Sequence, residues 1–318
     1  MLKNSFKICL TLFVALISLT LKAQKARTIT FADPTIFYHD QTYYLYGTME
    51  AGSGGGFSVY TSKDKKSWTD HGKALRKGDA FGTAGFWAPQ VFEYKNKFYM
   101  AYVANENIAI AESDSPLGPF TQKVKKSIDA PVKLIDPFVF FDGDKIYLYH
   151  VRLQNGNRIF VAEMNDDLSS IKEETAKECI SGTEHWENTA KTDWPVTEGP
   201  TVLKRGGLYY LFYSANDFRN PDYAVGYATS NSPVGPWKKY AGSPVLSKAQ
   251  TGENGSGHGD FFTDAEGKLN YIFHTHESNE QPKGKRRTAL ISAQFVKQAD
   301  QTEVLQMDSK SWRFLTEK

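Results

Sequence analysis

Three acidic residues are the side chains of this sequence best suited to acid and base catalysis. They occupy corresponding points of a repeated pattern. Asp33 and Asp136 each precede a proline at the start of an apolar run, and Glu198 comes one residue before a similar Gly-Pro pair. Carboxyl groups brought together in a confined site shift one another's pKa, and a pair with separated pKa values can act as acid and base. Asp-Pro is also a common start of a turn, so a structural role is the alternative.

The elements that would position these acids recur five times along the chain. Each segment joins two β-branched or aromatic runs through a polar or glycine turn, which predicts an antiparallel hairpin. Their first residues are 55, 48, 63 and 59 positions apart. The segments are DPTIFYHDQTYYLYG from Asp33, APQVFEYKNKFYMAYV from Ala88, DPFVFFDGDKIYLYHV from Asp136, GPTVLKRGGLYYLFYS from Gly199 and HGDFFTDAEGKLNYIFHT from His258.

A further β-rich run follows each hairpin, as in GFSVYTSKDKKSW from Gly56 and YAVGYATSNSPVGPW from Tyr223. Each unit therefore supplies at least three strands, and a fourth can come from the residues before the next hairpin. Five such units predict an all-β fold, a five-bladed β-propeller in a single domain over residues 24–318. A β-sandwich lacks a repeat of this length, and the coils of a β-helix are shorter.

In a propeller, the innermost strand of each blade lines the central channel, and its first residue lies at one mouth of that channel. The three acids would then converge on one opening from three blades, although core packing gives no reason to place them together. We therefore expect a catalytic site at this mouth.

Residues 1–23 have the pattern of a secretory signal peptide. Lys3 and Lys7 precede an apolar run of 12 residues from Leu10 to Leu21, which is too short to span a bilayer. We expect an exported protein, periplasmic or secreted, with no membrane insertion. Without the leader, 35 basic and 36 acidic side chains remain, so no charge excess indicates nucleic-acid binding. Cys179 is then the only cysteine, which excludes an internal disulfide and a cysteine-based metal site.

The five motifs, in this order, resemble glycoside hydrolase family 43, and the resemblance covers nearly all of residues 24–318. The segments that carry it are FADPTIF, FWAPQVF, LIDPFVFF, TEGPTVLK and GSGHGDFF. The family implies a five-bladed propeller that hydrolyses glycosides with inversion. Carried onto this chain, it implies Asp33 as general base, Glu198 as general acid and Asp136 as the residue that orients the acid and raises its pKa.

Physical chemistry agrees with that assignment. Inversion needs one carboxylate to activate water and one carboxylic acid to protonate the leaving oxygen, about 6.5–9.5 Å apart. A nearby negative Asp136 would raise the pKa of Glu198, as a general acid requires.

The resemblance also implies roles for other residues. His258 is expected to face the axis and bind one Ca²⁺ or similar ion, with waters completing its shell; a hydrogen-bonded structural histidine is the alternative. No organic cofactor is expected. Arg286 is expected to reach the sugar site, although a solvated Arg286-Arg287 pair is equally compatible with the sequence. Trp87 and Phe31 are candidate walls for a sugar ring, or core residues.

Other features are assigned more structural roles. His274 and His276 share a strand face and could hold a metal, but a polar strand end is the simpler interpretation. Glu187 misses the repeat position and is treated as a loop residue. Residues 47–57 and 216–223 are expected to form the rim of the site.

We therefore expect an inverting glycosidase acting on plant-type polysaccharides or oligosaccharides, as a monomer. The favoured activity is α-L-arabinofuranosidase; β-D-xylosidase, endo-arabinanase and exo-β-galactosidase are alternatives on the same fold. The alternatives from other classes are a non-catalytic carbohydrate-binding propeller and a structural scaffold.

Overall fold

The structure, a computed structural model, describes residues 26–49, 53–280, 284–299 and 301–318. The predicted signal peptide lies outside the described residues, as do residues 50–52 of the predicted rim loop 47–57. In the described part, the single α-helix, Lys248–Thr251, has four residues, and short 3-10 turns occupy Glu173–Thr175 and His185–Glu187. None of the helices described is long and apolar enough to cross a membrane.

The strands form five antiparallel sheets that follow one another along the chain. The strands of the first sheet, from the axis outward, are β1 (Ala32–His39), β2 (Thr42–Thr48), β3 (Gly56–Ser62) and β4 (Ser67–Arg76). Those of the second are β5 (Trp87–Tyr94), β6 (Lys97–Ala104) and β7 (Asn107–Ser113). Those of the third are β8 (Leu134–Asp142), β9 (Lys145–Leu153), β10 (Asn157–Glu163) and β11 (Lys177–Ile180). Those of the fourth are β12 (Thr197–Arg205), β13 (Leu208–Ala215), β14 (Ala224–Ser230) and β15 (Lys238–Lys239). Those of the fifth are β16 (Gly257–Thr263), β17 (Leu269–His276), β18 (Arg286–Lys297) and β19 (Glu303–Met307).

The five sheets are the blades of a propeller, which confirms the predicted fold. The innermost strands β1, β5, β8, β12 and β16 contact one another in sequence, and β16 closes the ring on β1. The second blade differs from the prediction of four strands. Its outer edge is a single bridge between Glu112 and Thr121, where a segment containing Pro116 and Pro119 cannot supply a full ladder of N–H donors.

A bulge occurs at the same place in every innermost strand. The residue that begins each sequence motif has a positive φ, between 40° and 58°, and the register with the second strand shifts there. These residues are Asp33, Ala88, Asp136, Gly199 and His258. Because a bulge re-aims the side chain next to it, this repeated irregularity determines what faces the channel mouth.

The aromatic residues lie mainly between the blades. Five apolar clusters fill the five blade interfaces, and each draws buried side chains from two neighbouring sheets. Tyr46 and Tyr102, for example, come from the first and second blades. Large rings bury much apolar area per residue, so they hold neighbouring sheets face to face around the axis.

The two ends of the described chain meet at the first blade. Two short strands, β20 (Arg313–Phe314) and β21 (Thr316–Glu317), follow β19; β20 pairs with β18, and β21 adds to the outer edge of the first blade beside β4. The N–H of Ile29 donates to the carbonyl of Leu315 at 2.9 Å. These contacts join the last blade to the first.

Candidate active site

A cavity of about 420 Å³ opens at the mouth of the channel where the bulged strands begin. Asp33, Asp136 and Glu198 line it, each no more than 8% exposed. Three other predicted site residues also line this cavity: Trp87, Arg286 and His258. The structure thus brings together six of the seven residues that the sequence proposed for the site.

Asp33 is held by contacts from three directions. Its Oδ2 accepts the Thr48 hydroxyl at 2.5 Å, and its Oδ1 lies 3.1 Å from a guanidinium nitrogen of Arg286. Its backbone N–H donates to His274 Nδ1 at 3.1 Å. Burial opposes ionisation of Asp33, but the Arg286 charge and the Thr48 bond hold its pKa well below the usual range. Asp33 is therefore an ionised carboxylate at neutral pH.

Asp136 interacts electrostatically with both of the other acids. Its Oδ2 accepts the backbone N–H of Gly199 at 3.0 Å and lies 3.8 Å from Nδ1 of His258, which is itself 3.4 Å from Asp33 Oδ1. Burial and the nearby charge of Asp33 raise the pKa of Asp136 to about 7.

Glu198 has two hydrogen-bond partners that the sequence did not indicate. The Tyr223 hydroxyl donates to Oε1 at 2.7 Å, and the Asn157 amide lies 3.2 Å from Oε2. Burial and the charge of Asp136 raise the pKa of Glu198 to about 7. Because Asp136 and Glu198 interact, their proton belongs to the pair, and the pair retains it far better than a free carboxylate would.

Arg286 is fixed against Phe218 of the predicted rim loop 216–223. Its guanidinium carbon lies 4.6 Å from the centre of the Phe218 ring, and the Phe218 carbonyl is 2.7 Å from His276 Nε2. The adjacent Arg287 points away from Asp33, and its Nη2 donates to Glu253 Oε2 at 2.6 Å. The sequence left two alternatives for Arg286, a side chain that reaches the site and a solvated Arg286-Arg287 pair. The structure shows the first.

The geometry around His258 does not fit a Ca²⁺ site built from protein ligands. Ca²⁺ prefers six to eight oxygen ligands, but no group of three or more His, Cys, Asp or Glu side chains among the described residues is arranged to hold a metal. Nearby Asp260 is already occupied, since its two oxygens accept the hydroxyls of Thr35 and Thr201 at 2.8 Å. The metal role of His258 stays a prediction.

Phe31 is the candidate that the structure separates from the cavity. It is 4% exposed and packs edge to face on Tyr60, with ring centres 5.4 Å apart. Its backbone N–H and carbonyl both bond to the Thr288 hydroxyl of β18. Phe31 therefore has the core position that the sequence left open as the alternative to sugar contact.

Two other polar residues named in the sequence analysis, His274 and Glu187, hold parts of the structure in place. His274 is fully buried; burial and Arg286 hold its pKa well below the usual value, so the ring is neutral and Nδ1 can accept from Asp33. Glu187 is fully buried, and its carboxylate accepts the Tyr213 hydroxyl and the Lys239 ammonium at 2.5 and 2.6 Å.

Three residues that line the cavity or bond to its acids were missed as site residues by the sequence analysis. Tyr223 was named only at the end of a loop and the start of a β-rich run, and Asn157 and Trp194 were not considered. They lie outside the innermost strands that the repeat identifies, so alignment of the repeats gives no signal for them. Trp194, just before Pro195 in the segment between β11 and β12, could have been noticed as an unassigned tryptophan in a polar loop.

Chemically, the cavity combines an ionised carboxylate with a carboxyl pair that retains a proton near neutral pH. The first can accept a proton from water, and the second can donate one to a leaving oxygen. The aromatic surfaces of Trp87, Trp194 and Phe218 border the same space.

Comparison with known proteins gives this geometry a family context. The sequence model described as "Glycosyl hydrolases family 43" matches residues 28–299. A solved structure from Bacteroides thetaiotaomicron, described as an endo-1,4-β-xylanase, is 41% identical with a TM-score of 0.84, and the match covers 92% of this chain and 99% of that one.

Two curated relatives are more distant. An arabinoxylan arabinofuranohydrolase of Bacillus subtilis is 28% identical over 65% of this chain, which spans about half, 48%, of that relative. A β-D-galactofuranosidase of Aspergillus niger is 24% identical, with 83% of this chain and 79% of the relative covered.

Proposed function

This chain belongs to family 43 of the glycosyl hydrolases and is a glycosidase, and we propose that it is an inverting α-L-arabinofuranosidase acting on plant-type polysaccharides or their oligosaccharides. The observation that carries the mechanism is one cavity that holds two carboxyl groups in opposite surroundings. Asp33 lies 3.1 Å from the Arg286 guanidinium, which lowers its pKa, whereas burial and the charge of Asp136 raise the pKa of Glu198 to about 7.

In the proposed mechanism, Asp33 is the general base. It removes a proton from a water molecule whose oxygen attacks the anomeric carbon on the face opposite the leaving group. Glu198 is the general acid, and its proton passes to the glycosidic oxygen as the bond between that oxygen and the anomeric carbon breaks. One water is consumed, and the configuration at the anomeric carbon is inverted. Proton exchange with solvent then restores both carboxyl groups.

Together with burial, Asp136 helps Glu198 to retain its proton. Its charge disfavours a second carboxylate nearby, and its bond to the Gly199 N–H fixes it beside the backbone that carries Glu198. Arg286 balances the charge of Asp33 and presents further donors to sugar hydroxyls.

The proposed sugar rests on the names of the relatives. Two of them, the arabinofuranohydrolase and the galactofuranosidase, are described as acting on five-membered sugar rings. β-D-Xylosidase is the second candidate, because the 41% identical structure is described as a xylanase.

The experiment measures hydrolysis of nitrophenyl α-L-arabinofuranoside and β-D-xyloside, together with the matching unactivated oligosaccharides. We expect Glu198→Gln to lower kcat/KM on the oligosaccharides by roughly a hundredfold or more. Its loss on nitrophenyl substrates should be smaller, because nitrophenolate leaves with less help from an acid. Asp33→Asn should lose activity on every substrate, since the attacking water is needed in each case.

Glu112→Gln, the same chemical change on the surface of the second blade, is the control and should retain wild-type rates. A Glu198→Gln enzyme that hydrolyses oligosaccharides at the wild-type rate would refute the acid assignment. Wild-type hydrolysis of the xyloside but not of the arabinofuranoside would replace the proposed sugar by the second candidate.

A further inference from the structure

The aromatic residues around the cavity are unusually exposed for this protein. Six large hydrophobic residues are exposed in the part of the chain that the structure describes, and three of them border this cavity: Trp87 at 37%, Trp194 at 48% and Phe218 at 38%. Exposed aromatic surface gathered at a concave site is typical of ligand contact.

The three rings have different surroundings. The guanidinium carbons of Arg286 and Arg219 lie 4.6 and 5.5 Å from the centre of Phe218, so that ring is engaged with protein cations. Trp87 immediately precedes Ala88, whose N–H donates to the Thr48 hydroxyl that bonds Asp33. Trp87 thus belongs to the side of the cavity where the base lies.

Trp194 belongs to the side of the acid. Its indole N–H donates to Asn157 Oδ1 at 2.9 Å, and Asn157 Nδ2 lies 3.2 Å from Glu198 Oε2. An indole N–H can only donate, which requires the oxygen of the Asn157 amide to face Trp194 and its NH₂ group to face Glu198. One side chain therefore connects the exposed ring to the proposed general acid.

The position of Trp194 is fixed although its ring is exposed. The carbonyl of the next residue, Pro195, accepts the backbone N–H of Asn157 at 2.9 Å, and the Thr197 hydroxyl donates to the carbonyl of Asn157 at 3.0 Å. At Gly156, where φ is 112°, an added Cβ would lie 2.6 Å from the same Pro195 carbonyl. This close approach sets the loop against the start of β10.

We propose that Trp194 and Asn157 form the leaving-group subsite of the enzyme, where a sugar ring of the leaving group stacks on Trp194 and Asn157 aligns Glu198 with its glycosidic oxygen. The inference rests on the proposed function, because the acid protonates the leaving group and a ring joined to the acid lies where that sugar must bind. One face of a sugar ring presents C–H groups that pack on an aromatic ring. Trp194 is then a binding residue and Asn157 a positioning residue.

The test compares two substrates with the same glycone and anomeric configuration, an oligosaccharide and the glycosyl fluoride. Fluoride has no ring for the leaving-group subsite and departs with little help from an acid. We expect Trp194→Ala to lower the ratio of the two kcat/KM values, oligosaccharide over fluoride, roughly tenfold or more. Trp194→Phe, which keeps a ring but not the N–H, should lower it less. Phe141→Ala, which removes an exposed ring of the third blade outside this cavity, should leave the ratio unchanged.

Asn157→Ala has a separate expected effect on the pH profile. The Asn157 N–H stabilises the ionised form of Glu198, so its loss raises the pKa of the acid and moves the alkaline limb of kcat/KM on the oligosaccharide to higher pH. A purely structural role for Asn157 would lower the rate without moving this limb.

The outcomes separate the two hypotheses. If wild type hydrolyses both substrates and Trp194→Ala leaves the ratio unchanged, the leaving-group subsite is refuted and the glycosidase mechanism stands. If wild type hydrolyses neither substrate for any glycone in the nitrophenyl series, the proposed function fails, and the inference fails with it.

Discussion

Arg286 gives the three buried carboxyl groups of the site different pKa values. Its guanidinium contacts Asp33 at 3.1 Å and thus favours the ionised form of that group, whereas the hydrogen bonds to Glu198 from the described residues come from the neutral donors Tyr223 and Asn157. Arg286 is the largest of the groups that lower the pKa of Asp33, so it does most to separate the base from the other two acids. The pH dependence of kcat/KM should therefore change when Arg286 is replaced.

For wild type, we expect kcat/KM to be constant at mildly acidic pH and to fall as pH rises through about 7, where Glu198 loses its proton. The acid limb should lie at low pH, because the pKa of Asp33 is lowered. In Arg286→Met, the pKa of Asp33 rises, so the acid limb should move to higher pH by about one unit or more. The measurement is kcat/KM on the preferred nitrophenyl glycoside across pH.

Arg287→Met is the matched control for this experiment. It removes the same charge at the adjacent position, where the side chain bonds Glu253 and the carbonyl of His276 instead of Asp33. Its acid limb should stay at the wild-type pH even if the protein is less stable. An equal shift in the two variants would show that net charge, and not contact with Asp33, tunes the base.

At the scale of the elements, the repeated bulge turns five strand starts into a site. Every blade uses a left-handed residue at this point, but only Gly199 adopts it without a Cβ. The reason lies in the neighbouring fifth blade, because a Cβ added at Gly199 would be 2.8 Å from the ring of His258. Glycine at this position of the fourth blade therefore leaves room for the His258 ring of the fifth.

Gly199→Ala should destabilise the protein by roughly 1–3 kcal/mol, from left-handed strain and contact with His258. The same change should lower kcat, because the backbone N–H of Gly199 holds Asp136. The free energy of unfolding in urea and kcat on the oligosaccharide are the two measurements.

Ala88→Gly, the reverse change at the equivalent bulge of the second blade, is the control. Its φ of 45° suits glycine, and the relief of strain offsets the entropy that glycine adds to the unfolded chain, so stability should change by less than about 1 kcal/mol. Equal destabilisation by the two substitutions would contradict the account of the bulge.

On the scale of the whole molecule, closure of the ring depends on the last strands of the chain. Leu315 is 1% exposed and packs in the cluster between the fifth and first blades. Its backbone bonds to Thr288 of the fifth blade and to Ile29 near the first. A propeller hides its sheet edges only if this junction holds.

Leu315→Ala should therefore lower the free energy of unfolding by about 2–5 kcal/mol, the usual cost of a cavity at a buried leucine. Val124→Ala, at a residue that is 67% exposed, should change it by less than about 0.5 kcal/mol. Urea unfolding monitored by tryptophan fluorescence gives the comparison. Equal midpoints and slopes for Leu315→Ala and wild type would mean that the junction does not support the ring.

The sequence alone determined the number of blades, the strand starts and the three acids, because a repeat marks equivalent positions wherever one supersecondary unit recurs. The sequence pattern also indicates a signal peptide, but this segment lies outside the described residues and the signal peptide stays a prediction.

Only the tertiary structure decided which side chains surround those acids. Asn157 and Glu198 are 41 residues apart and meet because the third and fourth blades pack side by side. The choice of Arg286 over Arg287, and the burial of Phe31, depend on which way the alternating side chains of a strand face in the folded propeller. Such orientations follow from register and packing between blades, which local sequence patterns do not encode.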